Sequence, residues 1–219
     1  MKKALLIALA IFAAPSLAFD VPVGDLAAWK TLAFRNIAAN TVTANDQGLH
    51  IAVRKSASPL VYKLDAPLTV TAVTVDAIWA GALKLPENTV QGEAGADDFV
   101  LKLGVVEAGD RKLNWLQRRI AADWLQQLFK LAPAGTGVRR INFLSTTQQQ
   151  ALVGTARVHP LNDLLYETRV TYLPSPGEFT MTYRFPEPVG VLGLWISADG
   201  DDTASNFDLQ IRRITLHSE

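Results

Sequence analysis

From Phe179 to Phe185 the chain reads Phe, Thr, Met, Thr, Tyr, Arg, Phe, so large apolar side chains alternate with polar ones. A repeat of two gathers the apolar groups on one face of an extended strand and scatters them around a helix. The same alternation runs through Leu49, Ile51 and Val53, through Phe99, Leu101, Leu103 and Val105, and through Phe207, Leu209 and Ile211. Strands of this kind must hide one face each, which predicts β layers packed on one another. In the last run the apolar phase slips to Ile214 and Leu216, which predicts a bulge near Arg212-Arg213.

Residues 29–37, 60–64, 68–79, 138–145, 165–172 and 189–197 are further strand candidates. Asn45-Asp46-Gln47-Gly48, Pro174-Ser175-Pro176-Gly177 and Pro186-Glu187-Pro188 between them are turn material, and residues 87–97 form a polar loop. The expected fold is all-β: an antiparallel, two-sheet, jelly-roll-like sandwich, with a closed barrel as the alternative. One stretch breaks the pattern. Over residues 113–131, Leu113, Leu116, Ile120, Trp124, Leu128 and Leu131 recur at helical spacing, predicting one inserted amphipathic helix. Trp115, Ala122 and Phe129 fall on its far side, a second stripe to be covered by a loop such as residues 146–163, a ligand or a protein partner.

Lys2 and Lys3, an apolar run from Ala4 to Ala14, and Ser16-Leu17-Ala18 have the order of a secretory signal peptide, with an apolar core too short to span a membrane. Residues 1–18 are therefore expected to be cleaved, leaving one β-sandwich domain over residues 19–219, exported to the periplasm or beyond the cell. Its 21 basic residues less Lys2 and Lys3 are 19, against 21 acidic ones, a net of −2. That balance, with no basic run, argues against nucleic acid as a partner. The absence of cysteine removes disulfides, thiolate metal sites and thiol nucleophiles.

Local enzyme signatures are missing. His50, His159 and His217 lack metal-ligand spacing, and there is no nucleophile elbow, phosphate loop or dinucleotide fingerprint. Counted from Asp199, the positions an EF-hand fills with Gly and Glu hold Ala204 and Gln210. What remains is the acidic stretch Ser197 to Asp208, containing Asp199, Asp201, Asp202, Thr203 and Asn206, and a second acidic pair, Asp97-Asp98. Carboxylates this close need compensation from solvent, backbone donors, a basic side chain or a cation. Asp97 shares the phase of Phe99 and Leu101, so it is expected to face inward at a strand end, where Asp97, Asp199 and Asp201 together would offer calcium hard oxygen ligands. Trp79, at a strand end, is the candidate aromatic platform for a sugar.

Several segments also resemble a bacterial family of exported proteins, domain of unknown function 3047, in order along nearly the whole mature chain. They are Ser56-Ala57-Ser58, the strand ending at Trp79, Ala96-Asp97-Asp98-Phe99, the helical insertion leading to Arg140-Ile141-Asn142-Phe143, and Ser197 to Thr203. Ala96, Phe143 and Asp202 stand where the family pattern has Gly, Tyr and Asn. The resemblance implies a jelly-roll similar to carbohydrate-binding modules and no established activity. The expected function is non-catalytic binding of a saccharide or envelope glycan by Asp97, Asp98, Trp79, Asp199, Asp201, Thr203 and Asn206, with calcium as an open addition. A glycan hydrolase or lyase using paired Asp residues, and an assembly protein using the Trp115/Phe129 face, are the alternatives.

Overall fold

The structure is a computed structural model, and it describes residues 17–160 and 162–218, for Arg118 and Ile120 the backbone only. The expected signal peptide lies outside these residues except for Leu17 and Ala18, which begin β1 (Leu17–Asp20). The strands that follow are β2 (Trp29–Thr31), β3 (Thr41–Asn45), β4 (Gly48–Arg54), β5 (Leu60–Ala82) and β6 (Lys102–Gly109). Two short helices, α1 (Trp115–Ile120) and α2 (Asp123–Lys130), separate these from β7 (Gly137–Thr147), β8 (Ala156–His159), β9 (Asn162–Tyr172), β10 (Gly177–Ser197) and β11 (Asn206–Ser218).

Hydrogen bonding links the strands in the order β3-β4-β11-β5-β10-β6-β7-β9-β8, with β1 on β11 and β2 on β5. Every described pairing is antiparallel except β7 with β9, which is parallel and departs from the purely antiparallel expectation. The ribbon doubles over along its two longest strands. The second half of β5 pairs with the first half of β10 and with β11, whereas Leu60 to Lys63 pair with Gly193 to Ile196 near the end of β10. Pro67, Pro186 and Pro188 fall at this bend, where register breaks and a missing N–H costs no ladder bond. Pro186-Glu187-Pro188 is thus a bulge within one strand, not the turn its composition predicts. At the same bend a Cβ on Gly193 would sit 2.3 Å from the Tyr62 carbonyl oxygen, so only glycine lets the backbones approach.

Doubling over makes a sandwich with one main core. Ile51, Leu209, Val75 and Met181 of the front layer meet Leu60, Leu103, Leu144 and Ile196 of the back layer. The register break between Ile211 and Arg213 sits where the apolar phase slips. The back layer is apolar on its outer face too, through Val61, Val106, Ile141, Leu192 and Trp195, and α2 lays Leu128 and Leu131 over it. Burying each such side chain is worth roughly 1.5–3 kcal/mol, enough to hold a helix of eight residues that alone would not persist.

The inserted segment is two helices rather than one. Asn114 and Gln117 form a capping box that starts α1, and extended backbone at Ala121 and Ala122 breaks it from α2. Because of the break, Trp115 and Phe129 share no face: Trp115 is 71% exposed beside exposed Leu116, while Phe129 packs on the outer cluster. No described helix is long and apolar enough to cross a membrane. Residues 146–163, expected as a loop, contribute β8 to the sheet edge. Of the strand expected over 29–37 only Trp29–Thr31 pairs; the rest leaves the sheet and carries Phe34 and Ile37 over the back layer.

Candidate functional site

On the outer face of the back layer, Trp195 of β10, Gly104 of β6 and Phe143 of β7 stand side by side in register. A Cβ on Gly104 would meet Ile141 Cγ2 at 2.7 Å, the Phe143 ring at 2.9 Å and Trp195 Cβ at 3.0 Å. The missing side chain lets the Phe143 ring lie over Gly104. Trp124 from α2 and Phe34 and Ile37 from the segment after β2 rise around this floor. Together they enclose one end of a cavity of about 460 Å³, within the range of small-molecule sites.

The other end is acidic. The two acidic segments are tied to each other by reciprocal capping. Asp98 accepts from Thr203 N at 2.7 Å, Thr203 Oγ1 at 2.6 Å and Asp202 N at 3.3 Å. In return Asp202 Oδ2 accepts from Gly95 N at 3.0 Å and Asp97 N at 3.2 Å. Burial nevertheless pushes the Asp98 carboxyl above its ordinary range, although Thr203 and Asp202 donate to it. Asp201, half-buried, belongs to neither cap; burial and the neighbouring carboxylates Asp98, Asp199 and Asp202 push it up as well.

Lys102 supplies the compensating cation. It lies one position outside the inward-facing Leu101 and Leu103, and its Nζ is 3.0 Å from Asp199 Oδ2 and 3.6 Å from Asp97 Oδ1. Burial works to lower the Lys102 pKa, but Asp199 and Asp97 outweigh it and the ammonium is held charged well into the alkaline range. Asp199 Oδ1 is filled by Ser197 Oγ at 2.6 Å. Asp97 fares differently. Its Oδ1 is buried, within ion-pair range of Lys102 but beyond hydrogen-bond reach, and has no hydrogen-bond donor among the described residues. Burial raises the Asp97 carboxyl despite Lys102.

Beneath this end, Phe99 is fully buried with Lys102 Nζ and the Arg169 guanidinium each 4.8 Å from its ring centroid. Glu167, at the cavity wall, accepts from Arg157 Nε at 2.7 Å and lies 3.4 Å from Arg169 Nη2. Burial alone would raise the Glu167 carboxyl, but Arg157 and Arg169 hold it below the ordinary range.

The structure therefore brings Asp97, Asp98, Asp199 and Asp201 together around one cavity. Asp97 does not face the core: β6 begins only at Lys102, and the carboxylate turns to the cavity beside it. Thr203 serves the Asp98 cap. Trp79 is no platform; it is 2% exposed in the main core, edge-on to Phe207, with its indole N–H on the Ser175 carbonyl. Asn206 pairs with Arg54 and Ala82 at the start of β11, away from the cavity lining. The expected calcium set of Asp97, Asp199 and Asp201 does not form: among the described residues no group of three or more acidic or histidine side chains is arranged for a metal, and Lys102 bridges two of the three. Sequence reasoning missed Lys102, Phe143, Trp124, Phe34 and Trp195. Lys102 did carry a signal, its outward phase between Leu101 and Leu103; Trp195, inside the continuous apolar run Leu194-Trp195-Ile196, carried none.

An all-β sandwich with a half-open cavity, aromatic at one end and acidic at the other, is the class these features define. No family model matches the chain, and no curated protein matches it. Four solved chains match in structure. One is a xylan-binding module, CBM15, with a TM-score of 0.39 and 11% identity over 92% of this chain and 96% of that one. Another is the exoplasmic/lumenal domain of VIP36 in its Ca2+/Man3GlcNAc-bound form, with a TM-score of 0.35 and 10% identity over 91% of this chain and 86% of that one.

Proposed function

We propose that this chain is an exported, non-catalytic β-sandwich that binds a saccharide of the cell envelope or its surroundings in the cavity on the back layer. One observation carries the reading: the Trp195–Phe143 floor and the Trp124 wall share a cavity with carboxylates that have acceptor capacity to spare. Flat rings cover the apolar face of a sugar, and carboxylates accept from its hydroxyls. The segments that resemble domain of unknown function 3047 support the same location, since Ala57, Asp97, Phe143 and Asp199 all reach this cavity. Membership of that family, and export directed by residues 1–18, belong to the proposal. Calcium does not, because Lys102 already bridges Asp97 and Asp199.

The experiment is a titration of the purified protein with a panel of oligosaccharides, followed by tryptophan fluorescence and calorimetry. Trp124, half-buried at the cavity wall, should report binding directly, and Trp195, 4% exposed, through the change in its surroundings. Trp124→Ala should weaken it about tenfold, equivalent to roughly 1.4 kcal/mol. If no oligosaccharide in a broad panel perturbs the fluorescence or releases heat, the proposal fails.

A further inference from the structure

The charges around the cavity are unevenly matched. Glu167 is answered by Arg157 and Arg169 from outside the cavity. Asp98 and Asp202 are held by N–H and O–H donors, which fix the carboxylates in place without cancelling their charge. Asp97 and Asp199 share the single ammonium of Lys102. Asp201 takes part in neither cap and lines the cavity.

Five carboxylates thus face one lysine at the acidic end, with His159 nearby on the wall. These carboxylates are not an open surface patch. They line one end of a cavity whose other end is aromatic, and there Asp97 Oδ1 is buried, 3.6 Å from Lys102 Nζ and without a hydrogen-bond donor among the described residues.

A neutral hydroxyl arriving there donates one hydrogen bond and leaves the charge imbalance intact. An anionic group adds like-charge repulsion to carboxylates that already outnumber the one ammonium. A primary ammonium supplies three donors and a positive charge at once.

Resting on the saccharide reading above, we propose that the preferred ligand carries a free, protonated amine on its sugar ring, as a de-N-acetylated hexosamine does, with the ring on the aromatic floor and the ammonium at the acidic end beside Asp201. Glycans bearing uronic acids are excluded.

The test is calorimetry of the purified protein near pH 6, above the ordinary carboxylate range and below that of amines. The probes are glucosamine oligomers, the matching N-acetylglucosamine oligomers and oligogalacturonate. The amine form should bind about tenfold or more tighter than the acetylated form, an advantage that shrinks with added salt, and oligogalacturonate should not bind. Asp201→Asn, which touches neither cap, should weaken the free-amine oligomer far more than the acetylated one and so erase most of that advantage. Equal binding of acetylated and free-amine oligomers overturns this inference and leaves the saccharide reading standing. Failure of every oligosaccharide brings both down. Binding of spermidine as tight as that of the glucosamine oligomer also overturns it, because the ring would then contribute nothing.

Discussion

Replacing Lys102 by Met tests the arrangement at the acidic end most directly. Methionine keeps the apolar body of the side chain as far as Cε and removes the ammonium, its charge and its three donors. The Lys102 side chain is 14% exposed and that of Asp199 9%, so the substitution strands a buried carboxylate with Ser197 as its one side-chain donor among the described residues. Breaking a buried ion pair from one side costs about 3–5 kcal/mol. The Asp97 leg adds little, because its side chain is 39% exposed and the pair is screened. For a domain of this size the loss corresponds to a drop in Tm on the order of 10 °C.

The pH dependence fixes the sign. Without the ammonium, Asp97, already raised by burial, loses the charge that opposed that rise, and Asp199 is left beside it as a like charge. A carboxyl raised by folding stabilises the fold at low pH, and that contribution is lost as pH rises towards neutrality. The deficit of Lys102→Met should therefore be largest at neutral pH and shrink towards about pH 4. Urea titrations at both pH values, read by tryptophan fluorescence, measure it, and Lys102→Met/Asp199→Asn should recover more than half of the loss. A deficit below about 1 kcal/mol at neutral pH, or one that does not change with pH, would refute the reasoning.

Three further outcomes follow from the same structure. Trp79→Phe should cost about 1–3 kcal/mol in urea titrations, because the Ser175 carbonyl loses its indole donor, while saccharide affinity stays at the wild-type value. Gly104→Ala should destabilise by about 1–3 kcal/mol and weaken ligand binding together, since the new methyl drives into the Phe143 ring and Trp195 Cβ; a stable variant with full affinity would refute the floor. Thermal melts in chelator and in added calcium should coincide, whereas calcium at a hundred times its dissociation constant would stabilise by about 2.7 kcal/mol.

The sheet was legible because period two survives wherever one face is buried and the other wet, as from Phe179 to Phe185 and from Leu49 to Val53. Even the slip at Arg212-Arg213 could be read, because it reverses which side chains are apolar. The back layer was harder. Leu194 faces the main core and Trp195 the outer cluster, so both faces are buried and the alternation disappears into a continuous apolar run. Trp195 therefore looked like one more core residue. Trp124 has helical phase with Leu128 and Leu131, but phase does not tell which of them overhangs a cavity. Asp97 and Asp199 stood out as charges near apolar strands. Their partner Lys102 did not, since an outward lysine on a strand is the commonest sight on a sheet.

The two long strands shared by both layers have a consequence for how the molecule opens. In a sandwich of separate sheets, the layers are held to each other only by side chains and can slide or part while each ladder stays intact. Here β5 and β10 run through both, so parting the layers means tearing backbone hydrogen bonds on either side of the bend at Gly193. The ladder amides of β5 and β10 on either side of the bend, as from Val70 to Ala77 and from Gly193 to Ile196, should therefore exchange with solvent water only through whole-molecule unfolding, at one common free energy. The floor of the cavity is anchored in the slowest-breathing part of the chain, and adaptation to a ligand falls to α2 and the segment carrying Phe34.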